Sequence, residues 1–312
     1  MEYLIISPFI GNDACVNLDK PTFDKYREAK DKFLQIKLIE EKFDLILRNF
    51  QEFQSELISQ AIDYGFDLLF SHTRFINNRL SINRRIANFL MSVRVYLDQY
   101  PKHIKKIYGE NSNVFCSLKS YKRSIYVEDI FFQVLSELRN YVQHSNLPID
   151  LFTYSGRCLN LDDEEGKLCF KTIPYISIFA LKDGDFKKET LKALEGKFDK
   201  EYLDLRYLLG KGLIGLVSIH MKCKELVAED VKKWTAELNE LLSILTSESN
   251  DTKKSRVCLL QKEEGKILAK TTVAKALLED YEFLSTRHTG LNKINCWVFN
   301  NEIIETEINI NR

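Results

Sequence analysis

The chain has 312 residues, enough to bury a full hydrophobic core and, at ordinary domain size, enough for two domains. Its 45 basic and 45 acidic residues leave no net charge, which excludes a uniformly cationic protein of the histone type. Any contact with nucleic acid must therefore come from a local patch. The seven cysteines are scattered and form no C-x-x-C pair, which favours free thiols in a reducing compartment over a disulfide framework or a cysteine-rich zinc site.

The N-terminal residues do not have the pattern of a secretory signal. Acidic Glu2 stands where a signal has basic residues, and Pro8 interrupts the short apolar run. No run of about 18 apolar residues occurs in the chain, so no membrane span is predicted. We therefore expect a cytoplasmic protein that does not contact a membrane.

The first elements predicted are a short strand and a long helix. Residues 3–6 are β-like and read as an edge strand that docks on a sheet built later in the chain. From Thr22, the predicted N-cap, to about Leu69, apolar residues recur at three and four positions, which predicts one long amphipathic helix or two in line, with Gly65 as a break. An apolar stripe of that length requires a partner, either another helix or a second copy of the chain.

Residues 72–123 are strongly basic, with eleven basic residues against two acidic ones. A helix is predicted from Ser81, kinked or restarted at Pro101 and ended at Gly109. The basic residues form either a solvated helical face or a phosphate-binding surface. Arg94, at the edge of the apolar stripe, either snorkels or extends toward the next motif. For the phosphate-binding case, we expect RNA to contact Arg79, Arg84, Arg85 and Arg94.

Residues 130–148 form the segment around which the chain is organised. On a helix, its apolar residues occupy one arc, while Arg139, Asn140 and His144 fall outside it. Pro148 and the polar residues before it end the helix, so His144 lies in the last turn, where the helix dipole favours a protonated imidazole. The apolar arc consists of Ile130, Val134, Leu135, Leu138, Tyr141 and Val142.

The run Arg139-Asn140-Tyr141-Val142-Gln143-His144 resembles the R-x4-6-H signature of the HEPN superfamily of helical, metal-independent ribonucleases, including the polar residue directly after the arginine. The resemblance covers one helix. It implies a HEPN-like helical domain over residues 1–150, which includes the short N-terminal strand, with catalytic Arg139, Asn140 and His144 and no metal or cofactor. It also implies a homodimer whose paired motif helices share one cleft, and a role in a toxin, phage-defence or stress system with an antitoxin or regulatory partner.

The chemistry of these side chains fits RNA cleavage. RNA carries its own 2′-hydroxyl nucleophile, so a metal-independent ribonuclease needs proton transfer and positive charge on the phosphate, and it leaves a 2′,3′-cyclic phosphate end. An imidazole transfers protons near neutral pH, and a guanidinium holds two phosphate oxygens. We expect His144 and Arg139 in these roles, with the Asn140 amide orienting the phosphate or the imidazole.

After Pro148 the pattern changes, and residues 151–312 are predicted to form an α+β domain of unknown role with antiparallel hairpins. Residues 162–166 form a predicted hairpin turn, a helical pattern runs from Phe186 to about Leu245 with breaks near Gly210, Gly212 and Gly215, and residues 295–308 suggest another hairpin. Residues 157–172 align without gaps on 256–271, which indicates either an internal duplication or two hairpins with the same turn.

The predicted fold is therefore α+β and mainly helical, and the leading hypothesis is a HEPN-type metal-independent endoribonuclease. Two alternatives remain open. The helical fold could serve as a non-catalytic RNA- or protein-binding module, with Arg139 and His144 suited only to the surface and the helix dipole. Or the C-terminal half could bind a small effector and regulate the helical half.

Overall fold

The structure is a computed structural model that describes residues 1–8, 15–67, 71–159, 167–184, 186–198, 200–245 and 256–296. Within these ranges the chain forms eight α-helices and two small antiparallel sheets, so the expected mainly helical α+β class is confirmed. The helices are α1 (Lys20–Phe66), α2 (His72–Tyr108), α3 (Asn113–Glu128), α4 (Ile130–His144), α5 (Ile178–Asp183), α6 (Lys188–Lys197), α7 (Leu205–Ser243) and α8 (Ala276–Arg287). The strands are β1 (Glu2–Ile6), β2 (Cys15–Leu18), β3 (Leu151–Leu159), β4 (Lys167–Ser177), β5 (Tyr202–Asp204), β6 (Arg256–Glu263) and β7 (Lys266–Ala274), and a 3₁₀ helix follows at Thr289–Cys296.

The chain divides into two compact units, each assembled from three stretches. Unit 1 contains Met1–Glu41, Gln99–Ser117 and Lys222–Thr289, and unit 2 contains the remaining stretches, Lys42–Asp98, Leu118–Met221 and Gly290–Arg312. The long helices α1, α2 and α7 each contribute residues to both units. The division into domains at residue 150 stays a prediction from the sequence.

The two long N-terminal helices differ from the expectation mainly at their ends. The first is a single helix, and its cap is Asp19 rather than Thr22, because the Asp19 carboxylate accepts a hydrogen bond from the Thr22 backbone N–H at 2.8 Å. The second begins nine residues before the predicted Ser81 and runs through Pro101 without restarting. It ends at the predicted Gly109, whose φ of +86° suits a residue without a Cβ.

Unit 1 contains the sheet with strand order β2-β1-β6-β7. As predicted, β1 docks on a strand built much later in the chain, with Leu4 opposite Leu260, but β2 covers its other side and so β1 is an interior strand. A buried hydrogen bond links α1 to the end of α8, since His288 Nδ1 lies 2.7 Å from the Glu40 carboxylate. Both side chains are almost fully buried, and their hydrogen bond offsets part of the cost of removing the two polar groups from water.

Unit 2 contains the sheet β3-β4-β5, which packs against α1 and α2 through aromatic side chains. The Tyr154 ring stacks on Tyr64 at 5.1 Å, and its hydroxyl accepts a hydrogen bond from the Asn78 amide at 2.6 Å. Gly156 leaves room for the Phe170 ring beside the same strands. These contacts attach the helical part of the unit to residues that follow Pro148.

The two aligned segments both form hairpins, in different sheets. In the second, β6 and β7 pair around Glu264 and Gly265, and both turn residues have positive φ, as a two-residue hairpin turn requires. In the first, β3 pairs with β4, and the predicted acidic turn at 162–166 lies outside the described residues. Most of the third predicted hairpin, 297–308, also lies outside them, and its first residues, Asn295 and Cys296, belong to the 3₁₀ helix.

The predicted helix breaks at Gly210, Gly212 and Gly215 are wrong, because α7 continues through all three. Two of these glycines instead allow α4 to approach α7 closely. A Cβ on Gly212 would lie 2.9 Å from both Leu135 Cβ and the Phe131 carbonyl oxygen, and one on Gly215 would lie 2.9 Å from the Asp129 carboxylate. Close packing, rather than chain flexibility, accounts for these glycines.

Alanine at position 212 tests this explanation. In an unhindered helix, Gly→Ala stabilises by up to about 1 kcal/mol. At Gly212, however, the new methyl group meets a backbone oxygen and a Cβ atom, which is attached directly to the backbone and cannot move freely. We expect Gly212→Ala to lower the free energy of unfolding by about 1 to 3 kcal/mol in urea denaturation.

Gly196→Ala is the matched control, because that helical glycine has no atom within 4 Å of the added Cβ. It should leave stability unchanged or raise it. Equal effects of the two substitutions would contradict the packing explanation.

Candidate functional site

The candidate site is built on α4, whose bounds agree with the predicted segment. The Asp129 carboxylate caps the helix by accepting hydrogen bonds from the backbone N–H groups of Phe131, at 2.9 Å, and Phe132, at 3.3 Å. At the other end, the Ser145 N–H donates to the Tyr141 carbonyl, and the chain leaves the helix before Pro148 as expected. Both ends of the helix are therefore fixed by local sequence.

One side of α4 is buried and the other carries the motif residues. Arg139 and Asn140 are half-buried, whereas Gln143 and His144 are exposed. Arg139 and Gln143 are four residues apart and so are Asn140 and His144, so the four form two adjacent rows on the solvent side. The Arg139 guanidinium donates to Gln143 Oε1 at 3.4 Å, a long contact that leaves most of its donors available. The buried residues are Phe132, Val134, Leu135, Glu137, Leu138 and Tyr141.

Arg139 lies in a cluster of positive charge formed by three helices of unit 2. Burial lowers the pKa of Arg139, the nearby Arg94 of α2 lowers it further, and Asp98 and Glu137 act in the opposite direction. Burial also lowers the pKa of Lys122 on α3, with Asp98 opposing this effect and Arg94 adding to it. The same Arg94 and Asp98 thus influence both groups. We call Arg94, Lys122 and Arg139, with Asp98, the cation cluster.

Asp98 is the acidic residue that forms an ion pair with Arg94, one helical turn away on α2. Asp98 also opposes the lowering of the pKa of Lys122 and of Arg139, so this carboxylate acts on all three cations. Arg94 is 44 % exposed, so the cluster is open to solvent on its α2 side. The sequence showed Lys122 only as one of many basic residues in 72–123. It is the fold that makes Lys122 a candidate residue of the functional site.

The other arginines proposed for RNA contact do not form one stripe with Arg94. Along α2, Arg79 and Arg94 are about 60° apart but about 22 Å apart along the axis, and Arg85 points to nearly the opposite side from Arg94. Arg85 forms an ion pair with Glu56 of α1 at 2.7 Å and donates to Ser81, whereas Arg84 is exposed. Arg79 is half-buried. Of the four arginines proposed for RNA contact, the structure therefore places Arg94 near Arg139, and not all four.

His144 lies at the opposite edge of the solvent side from Arg139. Helix geometry separates the two by about 140° and by about 9 Å between their Cα atoms. The exposed imidazole is near the residues that follow α4, where the Ser145 hydroxyl donates to the Gly184 carbonyl at 3.4 Å. In one chain, the two side chains therefore diverge rather than converge.

A buried carboxylate on α4 was not anticipated. Glu137, only 6 % exposed, pairs with Lys187 at 2.7 Å, and Lys187 also donates to the Tyr126 hydroxyl at 2.6 Å. These hydrogen bonds raise the pKa of Lys187 to about 12. The sequence offered no signal for this pair, because the two residues are fifty positions apart, and its role is to hold α4 against the segment that begins α6.

Among the described residues, no cluster of three or more metal-ligating side chains includes a residue of the motif. In unit 1, Glu40 and His288 are bonded to each other in the core. Within the described part of unit 2, His220 stacks on Phe43 at 3.7 Å and its Nδ1 is 3.1 Å from the Tyr96 hydroxyl. These histidines are core residues of their units. The groups available for chemistry around α4 are cations, an amide and an exposed imidazole.

Comparisons with known proteins add no family: no family model, no curated protein and no solved structure matches the chain. Among the helices described here, none combines the length and the apolar character needed to cross a membrane.

The lowered pKa of Lys122 predicts a particular dependence of stability on pH. Because the folded pKa lies below 10.5, the unfolded chain binds more protons between the two values, and stability from Lys122 rises with pH in that window. At neutral pH the charged Lys122 opposes folding. We expect the unaltered chain to gain stability relative to Lys122→Met as pH rises toward about 10.5.

The measurement is urea denaturation of both chains from neutral to alkaline pH. Every other titrating group is common to the two chains. The difference between their free energies of unfolding therefore reports on Lys122 alone. If the difference in free energy of unfolding stays constant over this pH range, Lys122 does not lie in a partly buried environment with a like charge nearby.

Proposed function

We propose that the protein is a metal-independent endoribonuclease of HEPN type, in which Arg139 and His144 act on one phosphodiester. The observation that carries the proposal is the position of Arg139 on the solvent side of α4, within the electrostatic range of Arg94, on the same side of the helix as the half-buried Asn140 and the exposed His144. The R-x4-H resemblance supplies the reaction class. A reducing, cytoplasmic setting agrees with the scattered cysteines.

Each residue has a role that its chemistry supports. Arg139 would bind two phosphate oxygens and stabilise the charge that develops as the 2′-hydroxyl attacks phosphorus. His144, in the last turn of α4, would move the proton between the attacking and leaving oxygens. Asn140, between them on the solvent side, would hold the phosphate through its amide. The products are a 2′,3′-cyclic phosphate and a free 5′-hydroxyl.

The divergence of Arg139 and His144 makes a second copy part of the proposal. In one chain they lie at opposite edges of the solvent side of α4. The two side chains of a single chain therefore do not readily contact the same phosphodiester. Two copies related by a twofold axis would bring Arg139 of one chain toward His144 of the other, and each interface would repeat the pair. This matches the paired motif helices that the resemblance implies.

A second function, RNA binding without cleavage, is favoured by the same divergence. The cation cluster offers positive charge independently of His144, and such a module needs no proton transfer. A toxin, phage-defence or stress role, with an antitoxin or regulatory partner, belongs with the nuclease proposal alone.

The test is cleavage of single-stranded RNA by the full chain in the presence of EDTA. We expect cutting, with 2′,3′-cyclic phosphate ends, and a loss of at least about 100-fold in rate for both Arg139→Ala and His144→Ala. Removing a group that stabilises developing charge, or one that transfers a proton, typically costs that much. Melting temperatures should change little, because both side chains are on the solvent side.

Arg48→Ala and His72→Ala are matched controls, each removing a solvent-accessible residue of the same type in unit 2. They should retain the full cleavage rate. Uncut RNA that is nevertheless bound would replace the nuclease by the binding module, and cutting that survives loss of Arg139 would overturn both assignments.

A further inference from the structure

An open pocket of unit 2 lies where α5, α6 and the segment leading into β5 meet, and we call it the α5–α6 pocket. Its volume is about 430 Å³, within the range of pockets that hold small ligands. Aromatic and charged side chains line it together. Among the described residues of the lining are Phe179, Lys182, Glu195, Phe198, Lys200 and Glu201.

Hydrogen bonds and an ion pair hold the elements around the α5–α6 pocket in place. The Ile178 N–H, at the start of α5, donates to the Glu201 carbonyl oxygen at 2.9 Å. The Ser177 side chain caps the same helix. Lys182 of α5 forms an ion pair with Glu195 of α6 at 2.5 Å. The pocket is therefore formed by the fold itself, and a ligand meets its groups already in position.

The Phe198 ring is a fixed wall of the α5–α6 pocket. Its centroid lies 6.4 Å from that of Phe131 and 6.0 Å from that of Tyr207, at interplanar angles of 67° and 84°. Phe131 and Tyr207 also contact each other, with centroids 5.4 Å apart. Edge-to-face contacts of this kind restrict the orientation of each ring. Because Phe131 belongs to α4 and Tyr207 to α7, the wall is anchored on two helices.

Two ammonium groups lie close to this aromatic cluster. Lys197 Nζ is 5.2 Å from the centroid of Phe131, and Lys211 Nζ is 5.6 Å from that of Tyr207. They add positive charge beside the Phe198 wall, where it attracts an anionic ligand.

Phe179 provides a second ring, and this ring is open to solvent. It lies in the first turn of α5 and is 74 % exposed, although it lines the same pocket as the half-buried Phe198. An exposed phenyl ring beside a fixed one offers flat apolar surface on which a planar aromatic ligand can stack. The apolar part of the ligand is therefore expected to be a flat ring, such as a nucleobase.

The charged groups of the α5–α6 pocket suit a ligand that carries both an anion and hydrogen-bond donors. Lys182 and Lys200 present ammonium groups for phosphate oxygens. Glu195 and Glu201 present carboxylates for the amino groups of a base. The side chains of Lys182 and Glu195 are 54 % and 41 % exposed, so their ion pair is weak and a phosphate can compete for the ammonium.

We infer that the α5–α6 pocket binds a nucleotide, whose base stacks on Phe179 and Phe198 and whose phosphate contacts Lys182 and Lys200. The inference goes beyond the proposed function, since it concerns a surface outside the motif and requires no cleavage. The nucleotide is either free or part of single-stranded RNA, because both carry the same base and phosphate groups.

Phe179→Trp provides the probe, because it keeps a stacking ring and adds an indole whose fluorescence a stacked base quenches. The full chain is titrated in EDTA with the four free ribonucleoside monophosphates and, separately, with short single-stranded 2′-O-methyl RNA, which has no 2′-hydroxyl and stays uncut. We expect saturable quenching by at least one of these ligands. Phe66→Trp is the matched control without such quenching, because Phe66 is 90 % exposed in the same unit and outside the pocket lining.

Affinities of the variants are then measured by calorimetry with the ligand that quenches. Phe179→Ala should weaken binding about tenfold, the usual effect of removing a ring from a base stack, whereas Phe66→Ala should not. Lys200→Met should weaken binding and reduce its dependence on salt. Lys192→Met is the control, because Lys192 is an exposed lysine of α6 outside the lining. Melting temperatures should change little, since Phe179 and Lys200 are exposed.

Quenching by free nucleotides supports a site for a small ligand, and quenching by RNA alone supports a site for single-stranded RNA. No saturable quenching by either, or equal affinities of Phe179→Ala and Phe66→Ala, would overturn the inference. Failure of the proposed function looks different. Saturable quenching by a chain that never cuts RNA would keep the pocket and remove the nuclease, and cleavage without quenching would keep the nuclease and remove the pocket.

Discussion

The close packing of α4 on α7 is the constraint on which the candidate site depends. Gly212 and Gly215 allow the backbone of α4 to approach at a distance where a methyl group would meet Leu135, Phe131 and Asp129. That approach fixes the rotation of α4 about its own axis, since Leu135 and Phe132 must face α7. Once the rotation is fixed, Arg139, Asn140 and His144 have to lie on the solvent side.

The same rotation determines which neighbours each motif residue has. Arg139 is turned toward α2, where Arg94 adds to the positive charge around it. His144 is turned away from them, beside the segment that leads from α4 to the rest of unit 2. The charge needed to hold a phosphate and the imidazole needed to move a proton are thus separated on one helix. The site proposed between two copies would bring them together, whereas RNA binding without cleavage would not require the two to be close.

Much of the fold could be predicted from the sequence where local signals are strong. The bounds of α4 followed from the apolar periodicity of residues 130–142 and from Pro148, and the turn at Glu264 and Gly265 followed from the hairpin pattern. The glycines of α7 were misread, because a glycine that admits a neighbouring helix looks identical in sequence to one that ends a helix. The covering of β1 by β2 was missed because the short run Cys15–Leu18 alternates too briefly to be recognised.

The site was predictable only in part, for a related reason. Arg139, Asn140 and His144 lie within six residues, so helical spacing alone places them on one side. Lys187 is brought to Glu137 of α4 by tertiary packing, and Lys122 lies on a different helix from the motif, so spacing carries no information about either. The basic composition of 72–123 pointed to four arginines, but the ion pair of Arg85 with Glu56 depends on α1, more than twenty residues earlier.

The most direct measurement of the central claim, that Arg139 and His144 of different copies act on one phosphodiester, is a complementation assay. Purified Arg139→Ala and His144→Ala chains, each inactive alone, are mixed, allowed to exchange subunits, and assayed for RNA cleavage in EDTA. A site shared between copies predicts that mixing restores cleavage, because a mixed dimer carries one intact Arg139 opposite one intact His144. A mixture as inactive as its components, from chains that demonstrably exchange, would contradict the shared site.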